Sequence, residues 1–335
     1  MSDFLSRLGS TLKRAGLGGF LIAIIGAIVL AWIRPSIGVG EGPFSLGQIA
    51  VYGVSVIFFF YGLSLNPQKL KAGLSNWRMH IVVQCTTFIV FPLLAICFKP
   101  LFDNTSYQLL WFGAYYLAAL PSTVSSSVVM VSIAEGNLPA AIFNASISSL
   151  IGIFATPFWM GLFSNTEIGS FDSWSVIGKL MLQVVLPVSL GLLLHNRFGK
   201  WAEKHKARLK FSDQTVILLI IYTSFCQSFY NHVFDDLSIT QLLLLGAAMI
   251  IFFLSVFGFV NVVSWLLKFN REDRITVLFC GSKKSLVHGT VMSKVLFQHS
   301  TVTGIILLPL MLYHALQLVM ASVIAQRMAS KNHND

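Results

Sequence analysis

Charge is what this sequence has little of. Only 11% of its 335 residues are charged against 55% hydrophobic, and the mean hydropathy is +0.75. That balance excludes an ordinary soluble domain, in which about 25% of residues are charged. Acid is scarcest: the chain has thirteen Asp and Glu, and Glu135, Asp213 and Asp273 come only to the ends of apolar runs. Cysteine is rare too. Cys85, Cys97, Cys226 and Cys280 lack CxxC spacing, imply neither a disulfide framework nor a zinc site, and are expected to be small buried residues. With no HExxH, no GxSxG and no paired carboxylates inside a run, no metal centre or cofactor is implied, and the common hydrolase motifs are missing.

Long apolar runs are what the sequence does have. Ten are separated by polar breaks, at about 17–33, 47–65, 79–98, 107–134, 137–163, 173–196, 212–232, 239–268, 273–298 and 300–326. They predict an all-α polytopic membrane protein with ten transmembrane helices. The basic N-terminus MSDFLSRLGSTLKRAGLGG leads into the first run, which is long, has no A-x-A site and is followed by further runs. It therefore reads as a membrane helix and not a signal peptide.

A net charge of +10 is compatible with nucleic-acid binding, but its distribution says otherwise. Seventeen of the twenty-three Lys and Arg fall on one side of this map, in clusters such as 197–210, and three, Arg34, Lys99 and Lys179, on the other. The positive-inside rule then puts both termini in the cytoplasm and removes the nucleic-acid reading.

Two runs are anomalous. The ninth carries FCGSKKSLVHG at 279–289, with Lys283 and Lys284 about nine residues from the nearest loop. At about 1.5 Å per residue that is a depth of about 13 Å, near the middle of the hydrocarbon. A charge there costs about 3 kcal/mol on the mildest scale. The competing reading starts the span later and leaves both lysines at the interface. The fourth run, YYLAALPSTVSSSVVMVSIAEG, has Pro121 in mid-run followed by Ser122, Thr123, Ser125, Ser126 and Ser127. Alone it would pass for a kinked packing helix. Split near 165–172, however, the chain has five runs in each half, and in each half the fourth is the interrupted one. An odd number per half inverts the second copy, and paired broken helices in inverted halves point to a transporter's central site.

These features resemble the bile acid:sodium symporter superfamily, and most closely its bacterial symporter-like branch, related to the orphan seventh member of solute carrier family 10. The resemblance covers nearly the whole chain, with FCGSKKS the more specific motif. It implies two inverted five-helix repeats in which broken helices 4 and 9 cross. It implies a panel domain from 17–65 and 173–232, a core domain from 79–163 and 239–326, and cytoplasmic segments at 1–16 and 327–335. It also implies a bacterial inner-membrane location, a bilayer as the surrounding partner, and no enzymatic activity.

The departures carry information. Aligned on Gly281, Phe279 stands where better-known members have a sodium-binding Glu, Lys283 where they have Gln and Lys284 where they have Asn. Ser126 or Ser127 matches a family Ser, Ala141 and Ala145 fall on hydroxyl positions beside Asn144 and Ser146, and Gln84 sits about a turn from a family glutamine. Sodium prefers oxygen ligands and negative potential, so at least one family sodium site is expected to be absent. The candidate substrate or ion site is Lys283, Lys284, Ser125, Ser126, Ser127, Ser282, Ser285, Asn144, Gln84 and His288, with helix breaks at Pro121 and Gly281.

An ammonium there has three possible roles: structural replacement of sodium, attraction of a small anionic solute, or proton carriage. Protons or sodium would be the coupling ion. Two other classes stay open: a non-transporting regulator of calcium homeostasis, and a Ser–Lys hydrolase using Ser282 or Ser285.

Overall fold

The computed structural model describes residues 18–40, 42, 44–64, 76–105, 107–163, 178, 181–235, 237–297 and 300–332. The expected segment 1–16, residues 333–335 of the expected segment 327–335, and the junction near 165–172 lie outside the described residues. Among the described residues there is no strand.

The first half contains α1 (Gly18–Ile33), α2 (Leu46–Ser64), α3 (Trp77–Cys85), α4 (Phe91–Cys97), α5 (Gln108–Ala119), α6 (Ser125–Ile133) and α7 (Leu138–Gly161). The second contains α8 (Leu186–Lys204), α9 (Lys206–Tyr230), α10 (Ile239–Leu266), α11 (Arg271–Gly281), α12 (Leu286–Leu296) and α13 (Thr303–Asn332). Seven helical stretches among the described residues are long and apolar enough to cross a membrane. The exceptions are informative. α1 has 16 residues, and the fourth and ninth apolar runs are each split into two short helices, α5–α6 and α11–α12. The long run at 239–268 holds no internal loop: α10 is continuous over 28 residues, about 42 Å, so it tilts or projects from a hydrocarbon core of about 30 Å.

The outer surface is that of a protein in lipid. Ile22, Ile25, Leu193, Leu243, Leu244 and Trp265 are all exposed, a surface no water-soluble monomer would keep. The same inversion corrects the cysteine expectation. Cys226 and Cys280 are buried, but Cys85 and Cys97 are exposed, because in a membrane small apolar groups need not be interior. α2 and α8 approach backbone to backbone through glycines. A Cβ on Gly62 would lie 2.1 Å from the carbonyl oxygen of Val188, and one on Gly191 2.2 Å from that of Phe59. Small residues at such a crossing let dispersion forces act between helix backbones.

Three asparagines cap helix N-termini: Asn76 on α3, Asn137 on α7 and Asn270 on α11. All three converge on one residue, Asp273, two on its carboxylate and one on its backbone N–H. Asn76 Nδ2 donates to Asp273 Oδ2 (2.6 Å), Asn137 Nδ2 to Asp273 Oδ1 (2.9 Å), and the Asp273 N–H to Asn270 Oδ1 (2.8 Å). Buried Asp273 thus sits where three positive helix ends meet, which is why a carboxylate is tolerated there.

Candidate functional site

Prolines create the site by taking donors away. α5 ends at Ala119 because Pro121 has no N–H, and the Leu120 N–H turns back to Leu117 at 3.2 Å. Ser122 N–H leaves the helix for Ser148 Oγ (3.0 Å), so the carbonyls of Ala118, Ala119 and Leu120 need other partners. Between α3 and α4 the chain makes one π turn, Thr86–Val90, in which the Phe91 N–H reaches five residues back to Thr86. The next donor in that register would be residue 92, and Pro92 has none. The carbonyls of Thr87 and Phe88 are therefore free for side chains.

Side chains take up all five of these carbonyls. Thr156 Oγ1 donates to Ala119 (2.8 Å) and Trp159 Nε1 to Phe88 (2.7 Å). The remaining three converge on one ammonium. Lys284 Nζ donates to the carbonyls of Ala118 (2.6 Å), Leu120 (2.7 Å) and Thr87 (2.7 Å), and lies 4.1 Å from the centroid of the Phe91 ring. All three ammonium hydrogens have an acceptor, and the aromatic face adds a cation–π contact.

The break between α11 and α12 is held in the same way. Ser127 Oγ donates to the carbonyl of Phe279 (3.0 Å), Ser122 Oγ to that of Cys280 (2.6 Å) and Tyr313 Oη to that of Ser282 (2.8 Å). Gln317 clips the peptide of Lys284 from both sides: its Oε1 accepts from the Lys284 N–H (2.9 Å) and its Nε2 donates to the Lys284 carbonyl (2.8 Å). The two breaks also touch directly, Ser285 N–H donating to the carbonyl of Pro121 (2.9 Å). An unfinished backbone inside a bilayer is tolerable only if protein groups satisfy it in this way.

Lys283 is treated differently. It is as fully buried as Lys284, each with 0% of its surface exposed. Its Nζ has one hydrogen-bond acceptor, the carbonyl of Ser126 (2.9 Å), and lies 5.9 Å from the Phe279 ring centroid. Cys280 and His314 lie within electrostatic reach. Among the described residues neither lysine has a carboxylate partner.

The other expected residues divide. Ser126, Ser127, Ser282 and Ser285 are buried at the meeting of the breaks, and Ser285 caps α12 while pairing with His288 Nδ1 (3.0 Å). His288 also meets the rings of Phe58 and Tyr61 on α2 edge-on. Asn144 and Gln84 bond to each other, Gln84 Nε2 donating to Asn144 Oδ1 (3.3 Å), and neither has a bond to a lysine. Ser125, the first residue of α6, is exposed, and the lysine contact goes to the backbone of Ser126. Gly281 ends α11 without positive φ, and a Cβ there would meet Val260 and Thr86 at ordinary contact distances (3.6 and 3.8 Å), so neither a left-handed turn nor tight packing requires glycine. A Ser–Lys dyad is not formed: Ser282 Oγ donates to the carbonyl of Leu278 (2.6 Å), Ser285 Oγ meets His288, and both ammonium groups face carbonyls.

Sequence reasoning missed Thr87, Pro92, Tyr313, His314 and Gln317. Pro92 in mid-run carries the signal that marked Pro121, and the YHALQ stretch breaks an otherwise apolar run.

Comparison with known proteins agrees with this architecture. Residues 18–330 match the SBF-like CPA transporter family. The Pseudomonas aeruginosa protein PA2026 is 38% identical over 312 residues, 93% of each chain, and Escherichia coli YfeH is 37% identical over 92% of each. Sodium/bile acid cotransporter 7 of Mus musculus is 32% identical over 324 residues, 95% of this chain and 94% of its own. The chain belongs to the SBF-like CPA transporter family, and is an integral membrane transporter and not an enzyme.

Proposed function

We propose that the protein is a secondary transporter that moves a small organic anion across the bacterial inner membrane by alternating access. One observation carries this reading: two helix breaks, 158 residues apart at Ser122 and Cys280, meet around two fully buried lysines that no carboxylate among the described residues balances. Uncompensated ammonium groups in a low dielectric favour a counter-anion, and the positive N-terminal end of α12 adds to that field.

The reading takes the ten apolar runs as ten crossings in two inverted halves, with broken helices 4 and 9 crossing near the midplane and both termini in the cytoplasm. The panel, 17–65 and 173–232, and the core, 79–163 and 239–326, enclose the solute between them. The chemistry of the cage supports replacement of one sodium site. Three carbonyl oxygens and an aromatic face would suit a small cation, and Lys284 already fills that place with its own charge. Protons then become the leading coupling ion, although the mouse relative's name couples sodium to bile acid.

The test is uptake into proteoliposomes of labelled carboxylates and sulfonates, taurocholate among them, under imposed proton or sodium gradients. Gradient-driven flux of at least one anion is expected, reduced roughly tenfold or more in Lys283→Gln by loss of a charge-assisted contact. Absence of flux for every anion under both gradients would overturn the reading and favour a regulator of ion homeostasis.

A further inference from the structure

We infer that the two adjacent lysines have separate roles: Lys284 is a permanent internal cation of the fold, and Lys283 is the ammonium that meets the solute's acidic group. The part concerning Lys283 rests on the transport reading above; the part concerning Lys284 does not.

The division follows from counting donors. An ammonium has three N–H groups and no acceptor. Lys284 spends all three on carbonyls that Pro92, Pro121 and the departure of Ser122 have left without backbone donors, and the Phe91 ring lies against it. It ties three separate stretches of chain, around residues 87, 118–120 and 284, at one point, and Gln317 fixes its peptide from α13. Removing it orphans three buried acceptors at once, in a place where water cannot replace it.

Lys283, equally buried, spends one N–H, on the carbonyl of Ser126. Among the described residues, two donors and a full charge remain without a protein acceptor in the middle of the crossing. A carboxylate or sulfonate offers what this group lacks: two or three oxygens and one negative charge. Binding would convert a costly isolated ammonium into a charge-assisted pair. Ser126 itself belongs to the arrangement, its Oγ paired with Thr123 Oγ1 (3.0 Å), so α6 would sense occupancy through its first turn.

Two measurements test the division. The first compares thermal unfolding of detergent-purified Lys283→Gln and Lys284→Gln. Lys284→Gln is expected to lower the midpoint by roughly 10 °C or more, or to prevent recovery of folded protein, through its orphaned carbonyls. Lys283→Gln is expected to stay within a few degrees of wild type, because one orphaned carbonyl is offset by removal of a buried charge. Equal losses, or the reverse order, would overturn the assignment.

The second uses the wild-type chain in proteoliposomes, so it does not depend on a variant folding. Reductive methylation with formaldehyde and borohydride modifies amines only when they become reachable, and peptide mass spectrometry separates the two sites. Methylation of Lys283 at least tenfold faster than Lys284 is expected, since only Lys283 is exposed when the site opens. Labelling of Lys284 as fast as Lys283 contradicts its permanent role. No labelling of Lys283 in protein that still transports contradicts its contact with solute, while leaving the transport reading intact.

Discussion

Lys284 and Ala118 lie 166 residues apart in the chain, yet the Nζ of one is 2.6 Å from the carbonyl oxygen of the other. The contact joins two interruptions that a membrane would not tolerate separately. A broken helix exposes polar backbone to hydrocarbon, and a buried lysine exposes charge. Placed together, each supplies what the other lacks.

The clip made by Gln317 should matter for the same reason. Gln317→Leu removes two hydrogen bonds and leaves the N–H and carbonyl of Lys284 without partners. A loss of about 2 to 5 kcal/mol is expected from two orphaned buried groups. It should appear as a lowered unfolding midpoint in detergent. A midpoint equal to wild type would show that the peptide of Lys284 finds other partners.

Asp273 holds the N-termini of α3, α7 and α11 together. Asp273→Ala deprives the amides of Asn76 and Asn137 of their acceptor and removes negative charge from three helix ends. The expected loss is about 2 to 4 kcal/mol, and Asp273→Asn, which keeps one acceptor oxygen, should lose less. Thermal unfolding of both variants ranks them.

The glycine contacts predict opposite signs for one type of substitution. Gly62→Ala drives a methyl into the Val188 carbonyl and should destabilise by about 1 to 3 kcal/mol. Gly246→Ala in α10 meets nothing within 4 Å and should be neutral or stabilise by about 0.5 to 1 kcal/mol, since alanine restricts the unfolded chain. The pair of unfolding midpoints, read side by side, checks the packing of α2 on α8.

Transport should require α9 to part from α12 and α13. Ser228 Oγ donates to the carbonyl of Thr301 (2.7 Å) and accepts from the Gly304 N–H (3.0 Å), and Lys294 Nζ reaches Thr223 Oγ1 (3.3 Å). A disulfide between Ser228→Cys and Gly304→Cys, in a background without other cysteines, should abolish uptake until reduced. Uptake that persists in the oxidised protein would show that these elements do not separate.

Much of this was legible in the sequence, because breaks in a membrane helix leave a local mark. Pro121 with its serines and GSKKS in the ninth run lie at the interruptions between α5 and α6 and between α11 and α12. What was not legible is the partner of each group. The acceptors of both lysines are backbone carbonyls, which any residue carries, and the contact with Thr87 depends on a π turn that no residue type announces. The serine cluster does place polar groups at the crossing, but the Lys283 contact goes to the Ser126 carbonyl, and Ser125 is exposed.

The most direct test is thermal unfolding of the purified protein, titrated with sodium against potassium at matched ionic strength. A bound ion stabilises by RT ln(1 + [L]/Kd), about 2.7 kcal/mol at a hundredfold excess over Kd. With Lys284 standing in the cation's place, the midpoint is predicted to be the same in both salts. A saturable rise in sodium alone would reveal a sodium site that the lysines have not replaced, contradict proton coupling and make sodium symport the leading mechanism.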